Sequence, residues 1–152
     1  MSLDLNDTVF GDTPVDDWHE YADGVSFRVS RLDNPQYQIG IERFRRFLDR
    51  QSARLFGNGD ALSKEALDVG ANDKTEYQVQ AELMSKYLLL DWKGVTEGGK
   101  KVEYTPERGY KLLIGQPKVF SWVIAHANKM KISAQDSEDE SLGKSKRSSA
   151  TS

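Results

Sequence analysis

The chain has 152 residues, 38% hydrophobic and 30% charged, with a net charge of −3 and no cysteine. That length suits one domain with a small core, and the missing cysteines exclude a disulfide framework and thiolate metal sites while fitting a reducing compartment. No apolar run approaches the roughly 18 residues that span a membrane, and the first residues are acidic where a secretion signal is basic, so a cytoplasmic location is expected.

Residues 1–16, rich in Asp, Gly and Pro, lack periodicity and read as a flexible acidic leader. Seven acids and no base fall within residues 1–24, whereas 25–131 carry a net charge of +5. From Asp17 to Leu32, apolar and polar residues alternate around Asp23-Gly24, the dipeptide of a tight hairpin turn. Asn34-Pro35 supplies a cap and a first helical residue. Tyr37, Ile41, Phe44, Leu48 and Leu55 then mark one face of a helix from Pro35 to about Phe56. After the Gly57-Asn58-Gly59-Asp60 break, a short helical piece is expected over Ser63 to Asp68.

Tyr77, Ala81, Met84 and Leu88 form the inward stripe of a central helix from about Lys74 to Asp91. A turn or small hairpin follows around Glu97-Gly98-Gly99. Thr105-Pro106-Glu107 is a strong helix start, with a hydroxyl cap, a proline at the first position and an acid in the first turn. Gly115 stops that helix, and Pro117 opens the last one, with Val119, Phe120, Val123, Ile124, Ala127 and Met130 facing inward. Residues 132–152 turn to Ser, Asp, Glu and Lys and read as a disordered polar tail. The expected fold is α+β, mainly α: a single domain over 17–131 in which an N-terminal β-hairpin packs on a small bundle of about four helices.

Little in the chain suits a catalyst. His19 and His126 lie far apart in sequence and belong to no His/Asp/Glu group at ligand spacing. Asp16-Asp17 and the acids of 136–140 fall in segments expected to be flexible, where a catalytic pair is not held in place. The reading is a non-enzyme with no metal and no cofactor. Arg43, Arg46, Arg50 and Arg54 fall within an arc of roughly 80° on the face opposite Ile41, Phe44 and Leu48. Such a stripe is a solvated face, a grip for an acidic protein surface or the chain's own leader, or a nucleic-acid contact. Nucleic acid suits it least, because few aromatics for base stacking lie among the arginines. Trp92 and Trp122 are either core residues or anchors for a partner.

Leu89-Leu90-Asp91-Trp92-Lys93-Gly94, the Gly98-Gly99 turn and Val102-Glu103-Tyr104-Thr105-Pro106 follow a hairpin ending at Asp33-Asn34-Pro35-Gln36-Tyr37 and an Arg-rich helix. In that order they resemble the tail assembly chaperones of long-tailed bacteriophages over roughly residues 17–130. The resemblance implies a non-enzymatic host-cytoplasmic factor that binds the tape measure protein, keeps it soluble and helps tail-tube subunits gather around it. It implies the tape measure protein as partner, with the major tail tube protein and self-association as further possibilities. It also implies, in many such families, a longer frameshifted form. The alternatives are a minor tail or connector subunit of the virion, or a small nucleic-acid-binding regulator acting through the Arg stripe.

Overall fold

The computed structural model describes residues 15–56 and 73–150, leaving out the side chains of 54–56 and 137–150. The leader through residue 14 and the helical piece expected over Ser63 to Asp68 lie outside the described residues.

The hairpin forms where the alternation places it. β1 (Asp16–Ala22) and β2 (Val25–Ser30) pair antiparallel about Asp23-Gly24. Gly24 takes a φ of 79°, a left-handed value that costs a residue with a Cβ roughly 1–2 kcal/mol. Asp16 and Asp17 thus open a strand and do not lie in a flexible segment. Phe27 and Val29 are buried, while Arg28 between them lies on the other face, 3.9 Å from the Asp16 carboxylate.

A hairpin alone is marginal in water, and a third strand completes this one. β3 (Leu89–Lys93) pairs antiparallel with β2, giving the sheet order β1-β2-β3. The sequence pattern places these residues at the end of the central helix. Instead, α2 (Glu76–Tyr87) stops at Tyr87 and the chain turns directly into strand. The run Leu88-Leu89-Leu90 is apolar on both the helical and the extended period, so it does not choose between them. The unpaired amides and carbonyls along β2 do, because a strand satisfies them and a helix does not.

α1 (Pro35–Phe56) begins and ends as the pattern predicts. Its cap, Asn34, accepts from the Gln36 amide at 2.9 Å. The Asn34 side-chain amide donates to Ser30 Oγ at 3.1 Å and to the Tyr87 carbonyl at 3.0 Å, joining the sheet, α1 and the end of α2. α1 runs antiparallel to α2 and close to it, since a Cβ on Gly40 would come within 2.5 Å of Leu83 Cδ2. Arg31, also buried, is gripped by both oxygens of Asp33 at 3.0 and 2.6 Å. α2 carries a complete capping box, Thr75 with Gln78, and buries Ala81 and Met84.

A small hairpin, β4 (Thr96–Glu97) with β5 (Lys100–Lys101), follows around Gly98-Gly99. α3 (Pro106–Gly115) starts at the Thr105 cap, whose hydroxyl accepts from the Arg108 amide at 3.2 Å. α4 (Pro117–Ala150) buries Val119, Val123, Ala127 and Met130 as expected. It does not end near Lys131: Ala134 is buried a turn further on, and residues 118–142 contain neither Gly nor Pro to stop the helix. Among the described residues the fold is α+β and mainly α, with four helices and the hairpin docked on α4, where the Leu32 amide donates to the Ala127 carbonyl at 3.1 Å.

Tyr104 and Trp92 lock β3 in place. The Tyr104 hydroxyl lies between the carbonyls of Ser85 and Leu89, the second at 2.7 Å, and shares its one proton between them. Burial pushes that phenol far above its ordinary pKa, so it stays a donor. Trp92 Nε1 donates to the Val102 carbonyl at 2.8 Å, and its ring meets Tyr104 edge-on, centroids 4.9 Å apart. The Tyr104 ring in turn lies on Gly109, where a Cβ would collide with it.

This packing sets the stability expected of three variants. Gly94 has a φ of +81°, and a Cβ there would overlap the Gly24 carbonyl oxygen. Gly94→Ala is expected to lower unfolding free energy by more than about 2 kcal/mol. Gly115→Ala, at a helix end with open space, should change it by less than about 1 kcal/mol. Tyr104→Phe strands two carbonyls and should lose about 1–3 kcal/mol. Urea denaturation followed by Trp fluorescence measures all three.

Candidate partner-binding site

Only the first half of α1 is covered. Tyr37 is buried, its hydroxyl 3.3 Å from Gln80 Nε2, and burial raises its pKa against the opposing pull of Gln80 and Arg45. Between α1, α2 and α4 lies an open cleft of about 220 Å³, with Tyr37, Ile41, Phe44 and Ile124 as apolar walls and Arg45 and Glu76 among its polar ones. α2 begins at Glu76, beside the level of Phe44 and Arg45 on α1. Past that level α1 has no residue of α2 alongside it.

The consequence is an apolar ridge. Phe47 is 51% exposed and Leu48 39% exposed, and the Phe44 and Phe47 rings stack with centroids 6.4 Å apart and planes 22° from parallel. The sequence pattern sends Leu48 inward, but among the described residues α2 begins too late to cover it. Arg43, Arg46 and Arg50 are exposed, with Arg46 3.9 Å from Glu42 and Arg50 Nε donating to the Arg46 carbonyl at 3.5 Å. The side chains of Arg54 and Leu55 lie outside the described residues. At 100° per residue, Phe47 and Leu48 fall between Arg43 on one side and Arg45 on the other. Arg45, which stands outside the stripe of four, is the arginine that reaches the cleft.

The two tryptophans are elsewhere. Trp92 is 6% exposed, its indole N–H committed to Val102 and its ring packed perpendicular to Tyr104. Trp122, half-buried on α4, packs against Tyr21 at 5.4 Å and Phe27 at 5.6 Å between centroids, tying the hairpin to the helix. Neither lines the cleft beside α1.

The structure does bring together a pair that spacing alone keeps apart. His19 from β1 and His126 from α4 lie 5.2 Å apart between ring centroids. Burial lowers the His19 pKa, the positive form of His126 lowers it further, and Asp17 opposes both. The signal that points to this cluster is the i, i+4, i+8 placement of Trp122, His126 and Met130 along one line of α4. Its cross-chain member is visible only once the hairpin docks.

The fold and these surfaces define a small α+β module, a three-stranded sheet resting on a long terminal helix with one helix half-uncovered. No described helix is long and apolar enough to cross a membrane. The chain belongs to the YdaY prophage protein family, which it matches over residues 32–144. It is similar to Protein YdaY of Escherichia coli (strain K12), with 33% identity over 100 residues, covering 62% of this chain and 81% of that protein. No solved structure matches it. The phage origin implied by the sequence resemblance therefore holds, and the family shown is YdaY.

Exposure separates the roles of the residues on α1. Phe47→Ser should leave stability within about 0.5 kcal/mol of the parent, whereas Tyr37→Ala should lose about 3–5 kcal/mol. Thermal or urea melts of the two variants distinguish a ridge kept for contact from one that holds the fold.

Proposed function

We propose that this prophage protein is a non-enzymatic tail assembly chaperone of the host cytoplasm, holding an amphipathic helix of the tape measure protein so that tail-tube subunits can gather on it. The observation that carries this reading is the exposed ridge of Phe47 and Leu48, continuous through Phe44 with a cleft and flanked by arginines. A helix laid in a groove is read through apolar anchors at i, i+3, i+4 and i+7. Phe44, Phe47 and Leu48 offer the complementary contacts, and a cleft of about 220 Å³ has room for one large apolar side chain. α1 carries five arginines against two acids, so the helix it suits is one with acids along its polar flank, which the arginine forks steer and set in register.

Magnitudes fit a weak, repeated grip. Burying one large apolar side chain contributes about 1.5–3 kcal/mol, and association itself costs at least about 4 kcal/mol. One ridge alone therefore binds modestly. Many copies along one long client gain from multivalency.

Co-expression with the tape measure protein of the same prophage tests the proposal. The expected result is a higher soluble yield of the client, co-purification of the two, and loss of both with Phe47→Asp/Leu48→Asp. Arg50→Glu should slow association and weaken its salt dependence. Failure of the parent protein to co-purify overturns the reading. Stoichiometric recovery of this chain in purified virions, read by mass spectrometry, would replace it with a structural tail role.

A further inference from the structure

The two histidines of the chain, His19 and His126, sit among three neighbours that make them more than a packed pair. His19 Nε2 is 3.4 Å from Met130 Sδ. His126 Nδ1 is 3.0 Å from the carbonyl of Trp122, one turn earlier on α4. A carbonyl only accepts, so that hydrogen bond requires the proton on Nδ1 and leaves the Nε2 lone pair of the neutral ring free. This is the arrangement in which a backbone acceptor fixes the tautomer of a metal-binding imidazole. Trp122 stacks on the His126 ring, centroids 3.9 Å apart and 27° from parallel, and meets His19 edge-on at 6.5 Å.

We propose that His19, His126 and Met130 form a binding site for a soft monovalent d¹⁰ cation, Cu(I) or Ag(I), at the junction of β1 and α4. Among the described residues no three His, Cys, Asp or Glu side chains gather to hold a metal. The third donor here is a thioether, and thioethers select Cu(I) over harder divalent ions. The observed gap also suits a shared metal. The 3.4 Å between His19 Nε2 and Met130 Sδ is short enough for one ion to bond to both. All three donors are neutral, so a monovalent ion leaves a single positive charge in a half-buried place. The Asp17 carboxylate acts on His19 from the same strand, and the Trp122 indole offers its face to a cation. A divalent ion would leave twice the charge with no additional anion.

The site is independent of the α1 ridge, so failure of either proposal leaves the other standing. The test is titration of the full-length protein with Ag(I), which cannot change oxidation state here, followed by Cu(I) held reduced in the presence of a competing chelator. Native mass spectrometry is expected to show one ion per chain, with Trp fluorescence falling at one equivalent. The ring signals of both histidines should shift in the NMR spectrum at the same point, a measurement that needs no variant. His126→Ala and Met130→Leu should each weaken Ag(I) binding at least tenfold. Met130→Leu conserves volume and leaves the apo fold intact, and Zn(II) should bind at least a hundredfold more weakly than Ag(I). The proposal is overturned if the histidine signals stay put at one equivalent, if Met130→Leu binds Ag(I) as the parent does, or if Zn(II) binds equally well.

Discussion

The pairing of β2 with β3 holds this domain together. β2 sits in the middle of the sheet, and its two faces divide cleanly. Phe27 and Val29 enter the core, flanked across the sheet by His19, Trp92 and Leu89, while Arg28 opposes Trp18 and Asp91 on the outer side. Without β3 the hairpin would have one partner strand fewer and an uncovered row of backbone groups. β3 is fixed from behind by Tyr104, whose hydroxyl answers carbonyls at the end of α2 and the start of β3, and by Trp92, whose indole answers Val102. Asn34 closes the arrangement by capping α1 while reaching both β2 and the last carbonyl of α2. Four elements thus converge on three polar side chains whose donor hydrogens are directed at backbone carbonyls and Ser30.

That convergence gives the Asp91-Trp92-Lys93-Gly94 and Val102-Glu103-Tyr104-Thr105-Pro106 segments a structural meaning. These residues build the lock, and Gly94 belongs to it because only a residue without a Cβ fits against the hairpin turn. The exposed residues of α1 are under no such constraint.

Much of the architecture was legible in the residues. The Asp23-Gly24 hairpin, the Asn34-Pro35 and Thr105-Pro106 helix starts and the inward stripe of α4 follow from local chemistry that tertiary packing did not override. β3 was not legible, because an apolar triplet obeys either period and its fate rests on a strand more than fifty residues earlier. The exposure of Leu48 was equally hidden. Periodicity says which residues share a face of a helix, and only the starting point of α2 says how far along that face is covered. The His19–His126 contact is of the same kind, set by docking and not by spacing. On the site itself, the sequence supplied the arginines but not the aromatic ridge they flank.

The late arrival of β3 has a consequence for the nascent chain. About 60 residues separate it from the strand it pairs with, which at roughly 5–20 residues per second is about 3–12 seconds of translation. Throughout that interval the half-made sheet presents an open border to whatever lies nearby, including a neighbouring ribosome's product. The pairing irregularity already present at that stage, at Glu20/Ala22, puts its extra residue on β1 and leaves the β2 border regular. Until β3 emerges, that edge is where strand exchange between chains competes with closure of the native sheet.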